Sequence, residues 1–145
     1  MERCYTRQID DKEFIPLAIL HYEYMNSLDR GYFPLWKSTD ELLKALKKPE
    51  AMALGLFIQD NLVGFILGNK DKNRNDAYYF SALYISPRYR LYIKRLYNAA
   101  EEMVTGRYKY WITDAINEVA SNLHKRMGAS VLEKQEDRIV YIKEI

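Results

Sequence analysis

Two stretches of this 145-residue sequence gather side chains that could do chemistry. In the first, Arg88, Arg90, Lys94 and Arg95 interleave with Tyr89 and Tyr92 just after Pro87. The apolar positions Ile93, Leu96, Tyr97, Ala100, Met103 and Val104 recur at helical spacing, so these cations sit at a predicted helix N-terminus. The helix dipole disfavours each cation there by about 0.3–1 kcal/mol, which suits an anion nearby. An RNA or DNA backbone or an acidic protein surface would satisfy the cluster, and so would plain solvation of a helix face. The second stretch covers residues 117–128. Asn117 is a natural N-cap for a helix carrying Ile116, Val119, Ala120, Leu123 and Met127 and stopped by Gly128. His124 lies on that helix. An imidazolium near neutral pH is a competent acid, while a lone helical histidine also serves as a packing or surface residue.

Other chemistries are excluded by what the chain lacks. Cys4 has no partner for an internal disulfide, and His21 and His124 are too far apart for a metal-ligand spacing, so no metal and a reducing, cytoplasmic compartment are expected. No apolar run approaches the roughly 20 residues of a spanning helix, and the first residues lack a signal-peptide core, so a soluble protein with no membrane partner is expected. The net charge of +2 is too small to argue nucleic-acid binding by itself, and the cationic cluster matches no nucleic-acid motif, so a nucleic-acid partner is not expected. Thirteen tyrosines fit half-buried strands and interfaces.

The elements that must position these residues can be read from periodicity. Residues 4–9 alternate as a strand, and Asp10 or Asp11 caps a helix that tolerates Pro16 only near its first turn. Phe14, Leu17, Ala18, His21, Tyr22 and Met25 share one helix face. Gly31 and Pro34 break the pattern, and Ser38, Thr39 or Asp40 caps a short helix with Leu42, Leu43 and Leu46, ended by Pro49. ALGLFIQ and LVGFILG around Asp60-Asn61 read as a hairpin spanning residues 51–68. AYYFSALYI, residues 77–85, is the next strand, ended by Pro87. After the Ile93 helix and Gly106, residues 108–113 read as a strand. The helix that Gly128 stops comes next, and residues 131–145 form a closing hairpin. The order is β-α-α-β-β-β-α-β-α-β-β. It predicts a single α+β domain over residues 1–145, a mixed, partly antiparallel sheet flanked by helices, with Leu96, Ala100, Met103, Leu123 and Met127 facing the sheet.

That order, together with residues 83–90 (LYISPRYR) and 117–128 (NEVASNLHKRMG), resembles the GCN5-related N-acetyltransferase (GNAT) superfamily. The resemblance covers nearly the whole chain and implies acetyl-CoA-dependent N-acetylation of a small-molecule or protein amine. Leu83 and Ile85 would lie at the end of the family's fourth strand, and Arg88, Arg90 and Lys94 in its acyl-CoA loop, where the phosphates of CoA become a further candidate anion. Asn117 would approach the pantetheine arm, unless it is only the N-cap. His124 matches the position where many members carry a tyrosine that protonates the leaving thiolate. No carboxylate base is evident in the 77–85 strand, where Ser81, Tyr79 and Tyr84 offer at most a relay through water.

The family's pyrophosphate loop uses glycines, and this loop has none: the glycine positions fall on Leu91 and Ile93, or on Ile93 and Arg95. Bulky or β-branched residues there hinder close backbone approach to phosphate. This raises a second expectation, a non-catalytic GNAT-like module such as a bacteriophage virion or assembly component, located in the virion or host cytoplasm. In that case Leu91, Tyr92 and Ile93 would fill the cleft and the partner would be a protein. The acceptor region, residues 22–48, offers Tyr24, Tyr32, Phe33 and Trp36 without a transferable pattern.

Overall fold

The computed structural model describes residues 3–28 and 38–145. The expected break at Gly31 and Pro34, and Tyr32, Phe33 and Trp36, lie outside them.

Strand β1 (Cys4–Gln8) runs into a capping box: the Asp10 carboxylate accepts the Lys12 N–H at 2.9 Å, and the Glu13 carboxylate accepts the Asp10 N–H at 3.0 Å. One 3₁₀ turn later comes helix α1 (Phe14–Ser27). Its buried face is Leu17, Leu20 and His21, whereas Tyr22, expected on that face, is 63% exposed. The face is rotated because Leu20 and Tyr24, not Tyr22, meet the sheet cluster of Phe65, Ala82 and Tyr84. Ser38 caps helix α2 (Thr39–Leu46) through its hydroxyl, which accepts the Glu41 N–H at 3.2 Å, and Leu42 is buried.

Strands β2 (Met52–Ile58) and β3 (Asn61–Lys70) form the predicted hairpin, but its turn falls one residue earlier than expected. Ile58 pairs with Asn61, so the two turn residues are Gln59 and Asp60, at φ 50° and 68°. Both angles are positive, as a type I′ turn requires. Asp60 is held there by the Tyr5 hydroxyl, 2.6 Å from its carboxylate, and the Gln59 N–H donates to the Arg3 carbonyl at 3.0 Å. Asn61 therefore opens β3.

Strand β4 (Ala77–Ile85) pairs antiparallel with β3 and, over Ala77 to Phe80 only, parallel with β5 (Tyr110–Ala115). Between them lie a 3₁₀ segment (Pro87–Tyr92) and helix α3 (Ile93–Val104). β5 starts two residues later than expected because Gly106, at φ 84°, turns the chain and Tyr108 bonds back to the Val104 carbonyl at 3.0 Å. Helix α4 (Glu118–Arg126) and the hairpin β6 (Ser130–Lys134) and β7 (Ile139–Glu144) complete the expected order. The described residues form one seven-stranded sheet in the order β1-β2-β3-β4-β5-β7-β6, with the closing hairpin inserted so that β7 lies against β5.

Two cores lie on opposite faces of this sheet. Leu96, Tyr97, Ala100 and Val104 of α3 pack with Leu54, Leu56, Ile66, Tyr78, Phe80 and Trp111, while Leu17, Leu20 and Leu42 pack with Phe57, Phe65 and Leu67. Of the residues expected to face the sheet, Leu96, Ala100 and Met127 are buried, and Met103 and Leu123 are half-buried against the same cluster. Val119, read from periodicity as apolar face, is 78% exposed. The buried positions of α4 are instead Ser121 and His124. Among the described residues no helix is long and apolar enough to cross a membrane.

Burial ranks the cost of truncation. Leu96→Ala, at a site with no exposure, should cost about 2–5 kcal/mol in urea melts, and Leu123→Ala less than half of that. Equal losses would show that α4 is as deeply packed as α3.

Candidate active site

The site begins with one irregularity. Leu67 pairs with Ala82 and Gly68 with Phe80, so Ser81 is an extra residue in β4, a β-bulge. Its hydroxyl donates to the Leu67 carbonyl at 3.2 Å. Gly68 makes room for the bulge, since a Cβ there would lie 2.5 Å from the Tyr78 ring and 2.9 Å from the Tyr79 carbonyl. The bulge reverses the facing of β4. Tyr78 and Phe80 point to the α3 side, whereas Ala82 and Tyr84 point to the α1 side.

At the same place β4 and β5 part. Their ladder ends at Phe80 and Thr113, and the Thr113 hydroxyl donates to the Phe80 carbonyl at 2.9 Å. Past that point no strand of the described residues runs along this edge of β4, and a cleft of about 410 Å³ opens between the strand ends. Tyr24, Ser27 and Leu28 line it from the end of α1, Ser81 to Ile85 from β4, Arg90 and Ile93 from the 3₁₀ segment and the start of α3, and Asn117, Ala120, Leu123 and His124 from α4 and its cap. It therefore runs through the sheet from one helical layer to the other.

The structure brings Leu83, Ile85, Arg90, Asn117 and His124 together on this cleft and leaves Arg88 and Lys94 outside its lining. Arg88 lies over the Tyr89 ring at 5.5 Å, Lys94 is exposed, and the Arg95 guanidinium donates to the Cys4 carbonyl at 3.2 Å. The cationic cluster is thus divided: one arginine at the cleft, two cations toward solvent, one tying α3 to β1. Asn117 caps α4, its side-chain oxygen accepting the Ala120 N–H at 2.8 Å, and it also lines the cleft.

The glycine-free loop folds as a 3₁₀ turn. The Tyr89 N–H donates to the Ser86 carbonyl at 2.8 Å, and the Ile93 N–H is turned back to the Arg90 carbonyl. Leu91 is 88% exposed and outside the cleft lining, while Tyr92 and Ile93 pack against the α3-side core, Ile93 also forming part of the cleft wall. These three side chains do not plug the opening.

His124 is 4% exposed, and both its nitrogens are engaged. Nε2 lies 3.1 Å from the Asp114 carbonyl oxygen, which can only accept, so Nε2 carries the hydrogen. Nδ1 then accepts from the Tyr97 hydroxyl at 3.0 Å. The ring is neutral, and burial pushes its pKa down to about 4, against a smaller opposing pull from Asp114. The Tyr97 hydroxyl is likewise held well above its ordinary range by burial.

Sequence reasoning missed Tyr97, Asp114 and the bulge. Tyr97 was legible as core, but its hydroxyl partner lies on another helix. A signal for the bulge was present in AYYFSALYI, where a polar serine interrupts the strand. Among the described residues no group of metal-ligating side chains gathers.

A cleft between the carboxyl ends of two parallel strands, each followed by a helix that opens beside it, is the place where open sheets of this kind generally take their ligands. The chain belongs to the acetyltransferase (GNAT) family, which it matches over residues 19–129. A comparison with curated protein sequences gives no match. Among solved structures the chain is similar to the PaiA N-acetyltransferase of Thermoplasma acidophilum in complex with coenzyme A (TM-score 0.80, 17% identity, 99% of each chain covered). It is also similar to the ribosomal-protein-S18-alanine N-acetyltransferase of Escherichia coli (TM-score 0.79, 11% identity, 99% of this chain and 94% of that one). An aminoglycoside 6'-N-acetyltransferase complexed with coenzyme A gives a TM-score of 0.76 at 16% identity, covering 97% of this chain and 96% of that one. At these identities the likeness is one of fold.

The buried histidine sets a pH dependence. Unfolded, His124 takes up a proton near its ordinary 6.5, and folded only near 4. Stability from the neutral ring is complete above pH 6.5 and is lost as pH falls through about 4, on the order of 3 kcal/mol in all. His21, also lowered by burial, contributes in the same direction. His124→Gln should flatten the fall of Tm between pH 6.5 and 4, and an unchanged slope would show that His124 is not the group responsible.

Proposed function

We propose that this chain is an acetyl-CoA-dependent N-acetyltransferase acting on a primary amine. The observation that carries the reading is the open cleft where the β4–β5 ladder stops at the Ser81 bulge. The residues there fit an acylated pantetheine arm: a largely apolar passage with an unpaired strand edge on one side and Asn117 on the other. Bound acetyl-CoA would supply an acetyl group activated as a thioester.

Each residue has a part that stems from its place. Leu83 and Ile85 give the wall along which the arm lies, and the free edge of β4 offers backbone N–H groups to negative charge developing on a carbonyl oxygen. Asn117 caps α4 and keeps that helix N-terminus at the cleft. Arg90 meets phosphate at the mouth, with Arg88 and Lys94 contributing at longer range, replacing by side-chain charge what a glycine loop supplies through backbone N–H groups. The neutral His124 holds no spare proton at pH 7. Its part is to close the α4 side of the cleft as a fixed, hydrogen-bonded wall, and water returns the proton to the leaving thiolate.

The exposure of Leu91 and the open cleft favour this reading over a cleft sealed for scaffolding. Calorimetric titration with acetyl-CoA tests it. Binding is expected, weakened about tenfold or more by Arg90→Glu, the loss of a charge-assisted contact. No heat at millimolar acetyl-CoA would overturn the proposal.

A further inference from the structure

An ammonium acceptor must lose a proton before it can attack a thioester, and the 77–85 strand carries no carboxylate to take it. The structure supplies one from another element. Glu23 of α1 places Oε2 3.4 Å from the Tyr84 hydroxyl and 3.5 Å from the Ser86 hydroxyl, at the end of β4. Tyr84 lines the cleft and is 9% exposed, while Glu23 lies outside the cleft lining and is open to solvent. The tyrosine thus stands between the cleft and the carboxylate. It points that way because the Ser81 bulge turns Ala82 and Tyr84 to the α1 side.

From this arrangement we propose that Tyr84 and Glu23 form the proton exit for the acceptor amine, Tyr84 touching the ammonium and Glu23 taking the proton beyond it.

The proposal rests on the acetyl-transfer reading. In the step it describes, the ammonium gives a proton to the Tyr84 oxygen as Tyr84 passes its own to the Glu23 carboxylate. The amine lone pair so released forms the C–N bond, the thioester C–S bond breaks, and the second proton of the nitrogen, made acidic by bond formation, passes through water to the leaving thiolate. No oxidant or further reactant is needed. The groups facing the pair agree with the route. Tyr24 from α1, which also lines the cleft, puts its ring centroid 5.9 Å from that of Tyr84, a second aromatic face suited to an ammonium, and the buried Phe65 backs the pair at 6.1 Å from Tyr84. Burial, then the nearby Glu23 charge, raises the Tyr84 pKa, which keeps the hydroxyl protonated and donating to the carboxylate. Arg90, on the same cleft lining, acts in the opposite sense as the smallest of these effects.

The test uses n-butylamine as the probe acceptor on wild type, Glu23→Gln and Tyr84→Phe. Titration of the amine alone, followed by NMR of the tyrosine rings, should move the Tyr84 signals in the wild type and much less in Glu23→Gln. With acetyl-CoA, Glu23→Gln should lower kcat about 100-fold and remove the acid limb of the pH profile. Tyr84→Phe should do the same, the double variant should lose little more, and acetyl-CoA affinity by calorimetry should stay within about twofold throughout. Tyr84 signals indifferent to the amine, or a Glu23→Gln enzyme with wild-type kcat and pH profile, would overturn the proposal. Failure of acetyl-CoA to bind would instead sink the acetyl-transfer reading, and the amine titration would still judge Glu23 by itself.

Discussion

Everything at the site depends on where the β4–β5 ladder stops. Parallel strands pair by evenly spaced, slanted bonds, and they stay paired only while both keep the same twist. The extra residue at Ser81 adds local twist to β4 alone, and β5 cannot follow. The last polar group of the shared ladder, the Phe80 carbonyl, is satisfied by the Thr113 hydroxyl, so the parting costs no buried carbonyl its partner at that point. Because β4 and β5 are parallel, their carboxyl ends open in the same direction, and α3 and α4 both begin beside the gap. One inserted residue thus yields a free strand edge, a passage through the sheet and two helix starts at its mouth.

A gap in a sheet would close or fill with side chains unless its walls were stiff. The α3 wall is stiffened by a network that crosses three elements. Glu101 of α3 accepts from the Trp111 indole of β5 and from Lys143 of β7, each at 2.9 Å. Tyr97, one helical turn earlier, carries the same wall to α4 through His124, whose other nitrogen is tied to the β5 backbone at Asp114. The rings of Phe80, Tyr97, Trp111, His124 and Tyr141 lie in a chain with neighbouring centroids between 5.4 and 6.1 Å apart. Aromatic side chains have few rotatable bonds, so holding them costs little entropy, and each hydrogen bond fixes one ring's orientation. A histidine in such a wall is a building block whose charge has been excluded by burial.

The sequence made the element order legible because the periodic segments are long and well punctuated. Gly106 and Gly128 mark real helix ends, Asp10, Ser38 and Asn117 cap the helical turns that start beside them, and Pro87 ends β4. What it hid are features set by partners distant in sequence. The hairpin turn sits at Gln59 and Asp60 because Tyr5 and Arg3, from the first strand and the residue before it, hold it there. Val119 looked apolar-faced by spacing, yet α4 turns His124 and Ser121 inward because Tyr97 and the Asp114 carbonyl offer polar partners on that side. The candidate site was legible in part for the same reason. Local motifs identified the segments on both sides of the cleft, while Glu23 belongs to a helix some sixty residues before the strand end it contacts.

The loop without glycines has a physical consequence of its own. A backbone cradle for phosphate is rigid and already ordered, so it binds without losing much conformational entropy and is little affected by salt. Here the loop turns N–H groups at Tyr89 and Ile93 onto its own carbonyls, and positive charge comes instead from long side chains of which only Arg90 reaches the cleft. Such charges are mobile and screened within about 10 Å at 0.1 M salt. Phosphate held this way would contribute mostly attraction and little positioning. The burden of alignment would then pass to the stiff inner part of the cleft, the β4 edge and the α4 wall, where the structure is ordered by the bulge and the aromatic chain. On the proposed reading, a mouth that attracts loosely and a passage that aligns tightly would divide the labour, and the inner site would not depend on glycines in the outer loop.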